Sequence, residues 1–262
     1  MKRIFALLFV ILLAFSAVAE EEWSIWDVID INTQDVNEAK PMETPVPEEP
    51  ELTAREDFIN RIIALGEQLY IGSNGKSQRA HYKEDIYVCK NFTVYLFNKN
   101  RDDFCMAEYP DVKLRVPNNL PSNKCKPYYY GFYWEDIDAE DGNPFYEAAA
   151  FRYDTKLSKE ENMELAMEFM RQVQRGDYFQ MAAKYYYGTG AHSMIITGDY
   201  NPDTDTILWC DSNMKGERKD GIRYGKVQFD AEKDIDWFVD AFCRKKYGAT
   251  LYRLRDDIVF AE

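Results

Sequence analysis

Histidine is scarce in this chain of 262 residues: there are two, His81 and His192. Five cysteines are present with no Cys-x-x-Cys pair among them, and two distant histidines do not give metal-ligand spacing, so neither a zinc site nor any metal or organic cofactor is expected. Basic residues are also in deficit. Lys and Arg number 32 against 46 Asp and Glu, a formal net charge of -14 without a basic stripe, which argues against nucleic acid or another polyanion as partner. No repeat of fixed period occurs, which removes solenoids and repeat arrays. The uncharged run from Ile4 to Val18 is shorter than the ~18 residues of a membrane span.

Aromatic residues are abundant instead. With 19 Tyr, 16 Phe and 5 Trp the chain reads as packed and globular, long enough for one well-buried domain with appendages. Lys2 and Arg3 before the apolar run, and Ala17-Val18-Ala19 after it, form the pattern of a secretory signal peptide over residues 1–19. Cleavage after Ala19 would take the net charge from -14 to -16 and leave a secreted or periplasmic protein with no membrane span. Residues 20–52 read as an acidic tether with four prolines between Pro41 and Pro50, carrying an apolar stretch around Trp23 and Trp26. The folded domain is expected over 53–262.

Within it the hydrophobic period supports α+β. Thr53 with Glu56 makes a capping box ahead of Phe58, Ile62, Leu65 and Leu69 at helical spacing; Ser158 with Glu161 starts a second helix that stops at Gly176. A third helix is read over "DAEKDIDWFVDAFCRKKYG", with Ile235, Phe238, Val239 and Phe242 on one face. Between the last two helices the period falls to two: "DYFQMA", "HSMIITG", "TILWCDS" and "KVQF" are read as antiparallel strands, the middle two joined by the turn "DYNPDTD".

In an exported protein an odd number of cysteines leaves at least one thiol outside intrachain bridges. Cys105 with Cys125, and Cys210 with Cys243, form a reasonable pairing, and Cys89 is then left over. If Asp85 caps a helix here, Cys89 lies in its first turn, where free backbone N–H groups favour a thiolate; Val88, Phe92, Tyr95 and Leu96 would bury one side. Val88, Phe92, Val94 and Leu96 also alternate, so a strand is the competing reading. His192 opens one strand, and Asp211 and Asn213 end the next on a common face. A hairpin between the two strands would bring that imidazole beside a carboxylate and an amide. Cys89 as nucleophile, His192 as base and Asp211 or Asn213 as its orienter are therefore the candidate catalytic residues.

This order of residues resembles the CHAP and NlpC-type cysteine hydrolases: Cys89 at a helix start, Gly176-Asp177 ahead of a strand, His192 opening the next, then Asp211-x-Asn213. The resemblance spans about residues 53–215. It implies a papain-like fold, N-terminal helices packed on a small antiparallel sheet, and hydrolysis of amide bonds in peptidoglycan or peptides through an acyl-enzyme. Two features depart from the pattern: Asp211 stands where such enzymes usually carry Glu, and an aromatic-rich insert, about 98–157, separates the Cys helix from the His strand. The alternatives are a non-catalytic binding protein on the same scaffold and a transglutaminase-like acyl transferase. Gly188 and Gly190 in "KYYYGTGA" suggest a mobile loop beside the site.

Overall fold

A computed structural model describes residues 51–74, 76, 78–80, 88–116, 138–185, 188–219 and 222–262. The expected signal peptide and most of the tether, His81, Asp85 and Cys125 lie outside the described residues. The described residues form an α+β fold. The first helix, α1 (Ala54–Ser73), starts where the capping box predicts: Glu56 N–H donates to Thr53 Oγ1 at 3.2 Å and Thr53 N–H to Glu56 Oε2 at 3.0 Å. Strand β1 (Gln78–Ala80) follows, then α2 (Cys89–Asn100), β2 (Phe104–Met106), β3 (Phe145–Arg152) and α3 (Lys159–Met170). Ser158 and Glu161 cap α3 reciprocally, as the sequence predicts, at 3.1 and 2.8 Å. The chain continues through β4 (Tyr178–Tyr185), β5 (Gly188–Ile196), β6 (Thr206–Lys219), β7 (Ile222–Asp234), α4 (Ile235–Phe242), β8 (Gly248–Leu254) and β9 (Ile258–Phe260).

Seven strands form one antiparallel sheet in the order β1-β7-β6-β5-β4-β8-β3, while β2 and β9 pair separately. Each face of the large sheet buries an apolar layer. Phe58, Ile62, Phe92, Leu96 and Phe97 of α1 and α2 pack over Ile195, Cys210 and Val227. Ala166, Phe169, Phe238 and Phe242 of α3 and α4 pack over Met194, Trp209 and Leu251 on the opposite face. Fully burying a phenylalanine contributes roughly 1.5–3 kcal/mol, so the rings that are completely buried, Phe58, Phe92, Phe97, Phe238 and Phe242, hold both helix layers in place. Helix α1 comes very close to the sheet at Gly66, where an added Cβ would meet Cys210 Sγ at 2.8 Å.

Several expectations change. The proposed bridges are not formed: Cys105, Cys210 and Cys243 are free thiols. Cys210 belongs to the core under α1 and α2, and Cys243 to the core under α3 and α4, so the sheet itself separates them. The last helix starts at Ile235 and not at Asp230, because residues up to Asp234 extend β7 and pair with Thr206–Trp209. Part of the segment read as an insert is β3, an edge strand of the main sheet. The stretch expected to be a loop before His192 is strand on both sides, β4 to Tyr185 and β5 from Gly188.

Helix α3 ends at Met170, six residues before Gly176, and Gly176 instead turns the chain into β4 with φ +88°. A Cβ at this position would lie 2.8 Å from Ile59. Gly176→Ala is therefore expected to lower stability by about 1–3 kcal/mol, combining left-handed strain with a clash. A denaturation midpoint equal to that of the parent protein would contradict this.

Candidate active site

Cys89 is the first residue of α2. The residue before it, Val88, is the N-cap; its backbone is extended and its side chain makes no capping bond. The helical reading of this segment holds because Phe92, Leu96 and Phe97 form one buried stripe, and Cys89 precedes Phe92 and Thr93 at the i+3 and i+4 spacings that share a helix face. Thr93 is buried without cost to the helix, its hydroxyl returning to Lys90 O at 3.0 Å. Asn91 heads an Asn-Phe-Thr sequon, but its Nδ2 is buried, so the folded chain does not offer it for glycosylation.

Two strands meet Cys89 where their ladder ends. β5 and β6 pair at Ile195–Cys210 and Ile196–Trp209. Ile196 N–H donates to Asp177 O of the β4 side and Thr197 N–H to Leu208 O of β6, so alternate N–H groups of β5 point toward β4 and toward β6. Ser193, an even step from Thr197, directs its N–H toward β6 beyond the last pair. The Cys89 sulfur accepts that N–H together with the Lys90 N–H, and it is hydrogen-bonded to the His192 side chain.

Register also explains why His192 meets Asp211. Ile195 and Cys210 are partners that face the α1 and α2 layer. His192 lies three residues before Ile195 and Asp211 one residue after Cys210, both odd steps, so alternation turns both side chains to the other side. There His192 Nε2 lies 2.6 Å from Asp211 Oδ2. Both are buried, at 6 % and 1 % exposure. With Nε2 held by Asp211, Nδ1 is the ring nitrogen left for the sulfur.

Asn213 bonds to the carboxylate and not to the ring: its Nδ2 donates to Asp211 Oδ2 at 3.3 Å. Asp211, not Asn213, is therefore the group that orients the imidazole. A fifth residue, absent from the sequence reading, completes the cluster: Gln228 Nε2 donates to Asp211 Oδ1 at 3.0 Å.

The electrostatics follow from these contacts. Burial alone would push the His192 pKa down, but the Asp211 carboxylate, with help from Cys89, raises it from 6.5 to about 10. Burial pushes the Cys89 thiol up, and His192 with the Ser193 and Lys90 N–H groups outweighs it, so the thiol lies below its ordinary value of 9.0. Charge is thus favoured on both partners, as thiolate and imidazolium. Cys210 behaves oppositely: burial, with Asp211 and Asp230 nearby, pushes its thiol well up. Cys89 is accordingly the half-buried cysteine with an activating neighbour, while Cys105, Cys210 and Cys243 are buried packing residues.

The structure thus brings together all four residues singled out in the sequence, Cys89, His192, Asp211 and Asn213. Asp177, part of the same sequence pattern, lies elsewhere, buried against Arg253. Among the described residues no group of three His, Cys, Asp or Glu side chains suited to a metal ion occurs, and no helix is long and apolar enough to cross a membrane. No protein-family model, curated protein or solved structure matches the chain.

Proposed function

We propose that this protein is an exported cysteine hydrolase of papain-like architecture that cleaves amide bonds through an acyl-enzyme. The observation that carries the reading is the chain of contacts from the Cys89 sulfur through the His192 ring to Asp211, held by three elements that are distant in sequence. A thiolate is a nucleophile, and an imidazolium beside it is a proton donor for a leaving amine. The Cys89 sulfur attacks the amide carbonyl. The Cys89 N–H, at a helix start where no intrahelical acceptor exists, faces the oxyanion that develops. His192 Nδ1 gives its proton to the departing amine, then takes one from the water that releases the acyl group. Asp211 stays ionised throughout and keeps the ring aimed.

Export rests on the pattern of residues 1–19, and the substrate class on the resemblance to CHAP and NlpC-type enzymes, which directs attention to the peptide amides of peptidoglycan. The test is digestion of purified peptidoglycan with the secreted form of the chain. Free amino groups should appear in step with carboxyl groups, with no new reducing sugar ends. Faster release of acyl product when a primary amine is added would reassign the chain as an acyl transferase. No amide cleavage, together with a Cys89 that alkylates no faster than a free thiol, would leave only a binding protein.

A further inference from the structure

We infer that Gln228 is a positioning residue of this site, pinning the plane of the Asp211 carboxylate so that Oδ2 stays aimed at His192. The inference rests on the Cys89–His192–Asp211 reading and goes beyond it. The two carboxylate oxygens have different duties. Oδ2 receives His192 Nε2 at 2.6 Å and Asn213 Nδ2 at 3.3 Å; Oδ1 receives Gln228 Nε2 at 3.0 Å. Donors confined to Oδ2 leave the carboxylate free to rock about the axis through that oxygen. A donor on Oδ1 fixes its orientation, and in a site this buried a satisfied polar network is far stiffer than the sum of separate bonds in water.

An irregularity in the sheet puts Gln228 there. β6 pairs with β7 at Trp209–Ala231 and again at Asp211–Gln228. One residue of β6, Cys210, therefore stands opposite two of β7, Phe229 and Asp230: a β-bulge. Asp230 takes φ +46°, which Asp adopts more readily than most side chains. In a regular ladder, Phe229 would face Asp211 and Gln228 would point into the core. The bulge flips that parity, turning Gln228 toward Asp211 while Val227 is completely buried with Ile195 and Cys210. The amide is also suited chemically. A lysine or arginine at this position would compete with the imidazolium for the carboxylate charge, whereas a neutral donor orients the carboxylate and leaves its charge to His192.

The role is tested without knowing the substrate, by following iodoacetamide alkylation of Cys89 against pH in the full chain, with the modified residue read by peptide mass. Gln228→Leu keeps the bulk and removes the donor. It should raise the midpoint of Cys89 reactivity by about one pH unit, so that alkylation below the midpoint slows about tenfold, with the melting temperature near that of the parent protein. Gln228→Asn, which keeps an amide but draws it back by one methylene, should shift the midpoint in the same direction by less, and it serves where the leucine variant does not fold. A parent midpoint below 9 that neither variant moves would overturn the role of Gln228 and leave the Cys–His–Asp reading standing. A parent midpoint at or above 9 would overturn both.

Discussion

Alanine in place of Cys89 is expected to lower amide hydrolysis by about 10⁴-fold or more while leaving the melting temperature almost unchanged, because the sulfur forms the covalent intermediate and is only half-buried. The same site fixes the pH dependence. The productive form is thiolate with imidazolium, so activity should rise as Cys89 loses its proton, below its ordinary 9.0, and fall as pH passes through about 10, where His192 loses its own. Asp211→Asn removes the charge that raises His192, so the falling limb should move down toward 6.5 and narrow the active window. His192→Ala should raise the Cys89 thiol, with burial then opposed only by the Ser193 and Lys90 N–H groups. Rates of hydrolysis and alkylation over pH 5–11 measure all of this. Retention of a tenth of the parent activity by the alanine variant at position 89 would end the proposal of covalent catalysis.

Much of this site was legible in the sequence because its parts depend on local rules. Both capping boxes are four-residue patterns, and each marks a helix start within one residue. His192 and Asp211 could be brought together by assuming that consecutive strands form a hairpin. The elimination that left Cys89 as the spare thiol did not hold, since Cys105, Cys210 and Cys243 are free as well and a Cys210–Cys243 bridge would span two cores; what distinguishes Cys89 is its neighbour, not the lack of a bridge. Other parts were beyond local pattern. β3 reads "FYEAAAFR", an edge strand with three alanines and a glutamate, whose helical propensity outweighs a weak alternation that is broken further by a shift in pairing between Glu147 and Ala149. In β8 the first five residues are all buried, so period-two contrast is lost. Gln228 lies within a strand that was read correctly, but its side depends on one extra residue at Phe229–Asp230, and no periodicity signals a bulge in advance. That single register step separates an amide turned into the core from a member of the site.

Asp177 is the other residue whose role the sequence pattern did not reveal, and the second large effect is expected there. Arg253→Ala should destabilise the protein by about 3–5 kcal/mol, because it strands a completely buried carboxylate. Arg253 Nε and Nη2 grip Asp177 Oδ1 and Oδ2 at 2.7 and 2.9 Å, the Gln174 N–H donates to Oδ2 at 2.9 Å, and Arg253 Nη2 donates to Gln172 O at 3.0 Å. These bonds fasten the turn after α3 to β8. The Asp177 backbone pairs in turn with Ile196, the last residue of β5, through Ile196 N–H at 2.9 Å. Burial holds the Asp177 pKa above its usual range even with Arg253 present, and removing the guanidinium would raise it further. A carboxyl whose folded pKa is raised favours the native state at low pH and loses that advantage as pH rises through the folded value. The deficit of the Arg253→Ala variant should therefore be largest at neutral pH and shrink on acidification, as read from urea midpoints at several pH values. Exchanging both partners, Asp177→Leu with Arg253→Met, removes the stranded charge and should recover much of the loss, though not the bonds to Gln172 and Gln174. A single variant as stable as the parent at pH 7, or a deficit that grows on acidification, would show that the pair does not bear this load.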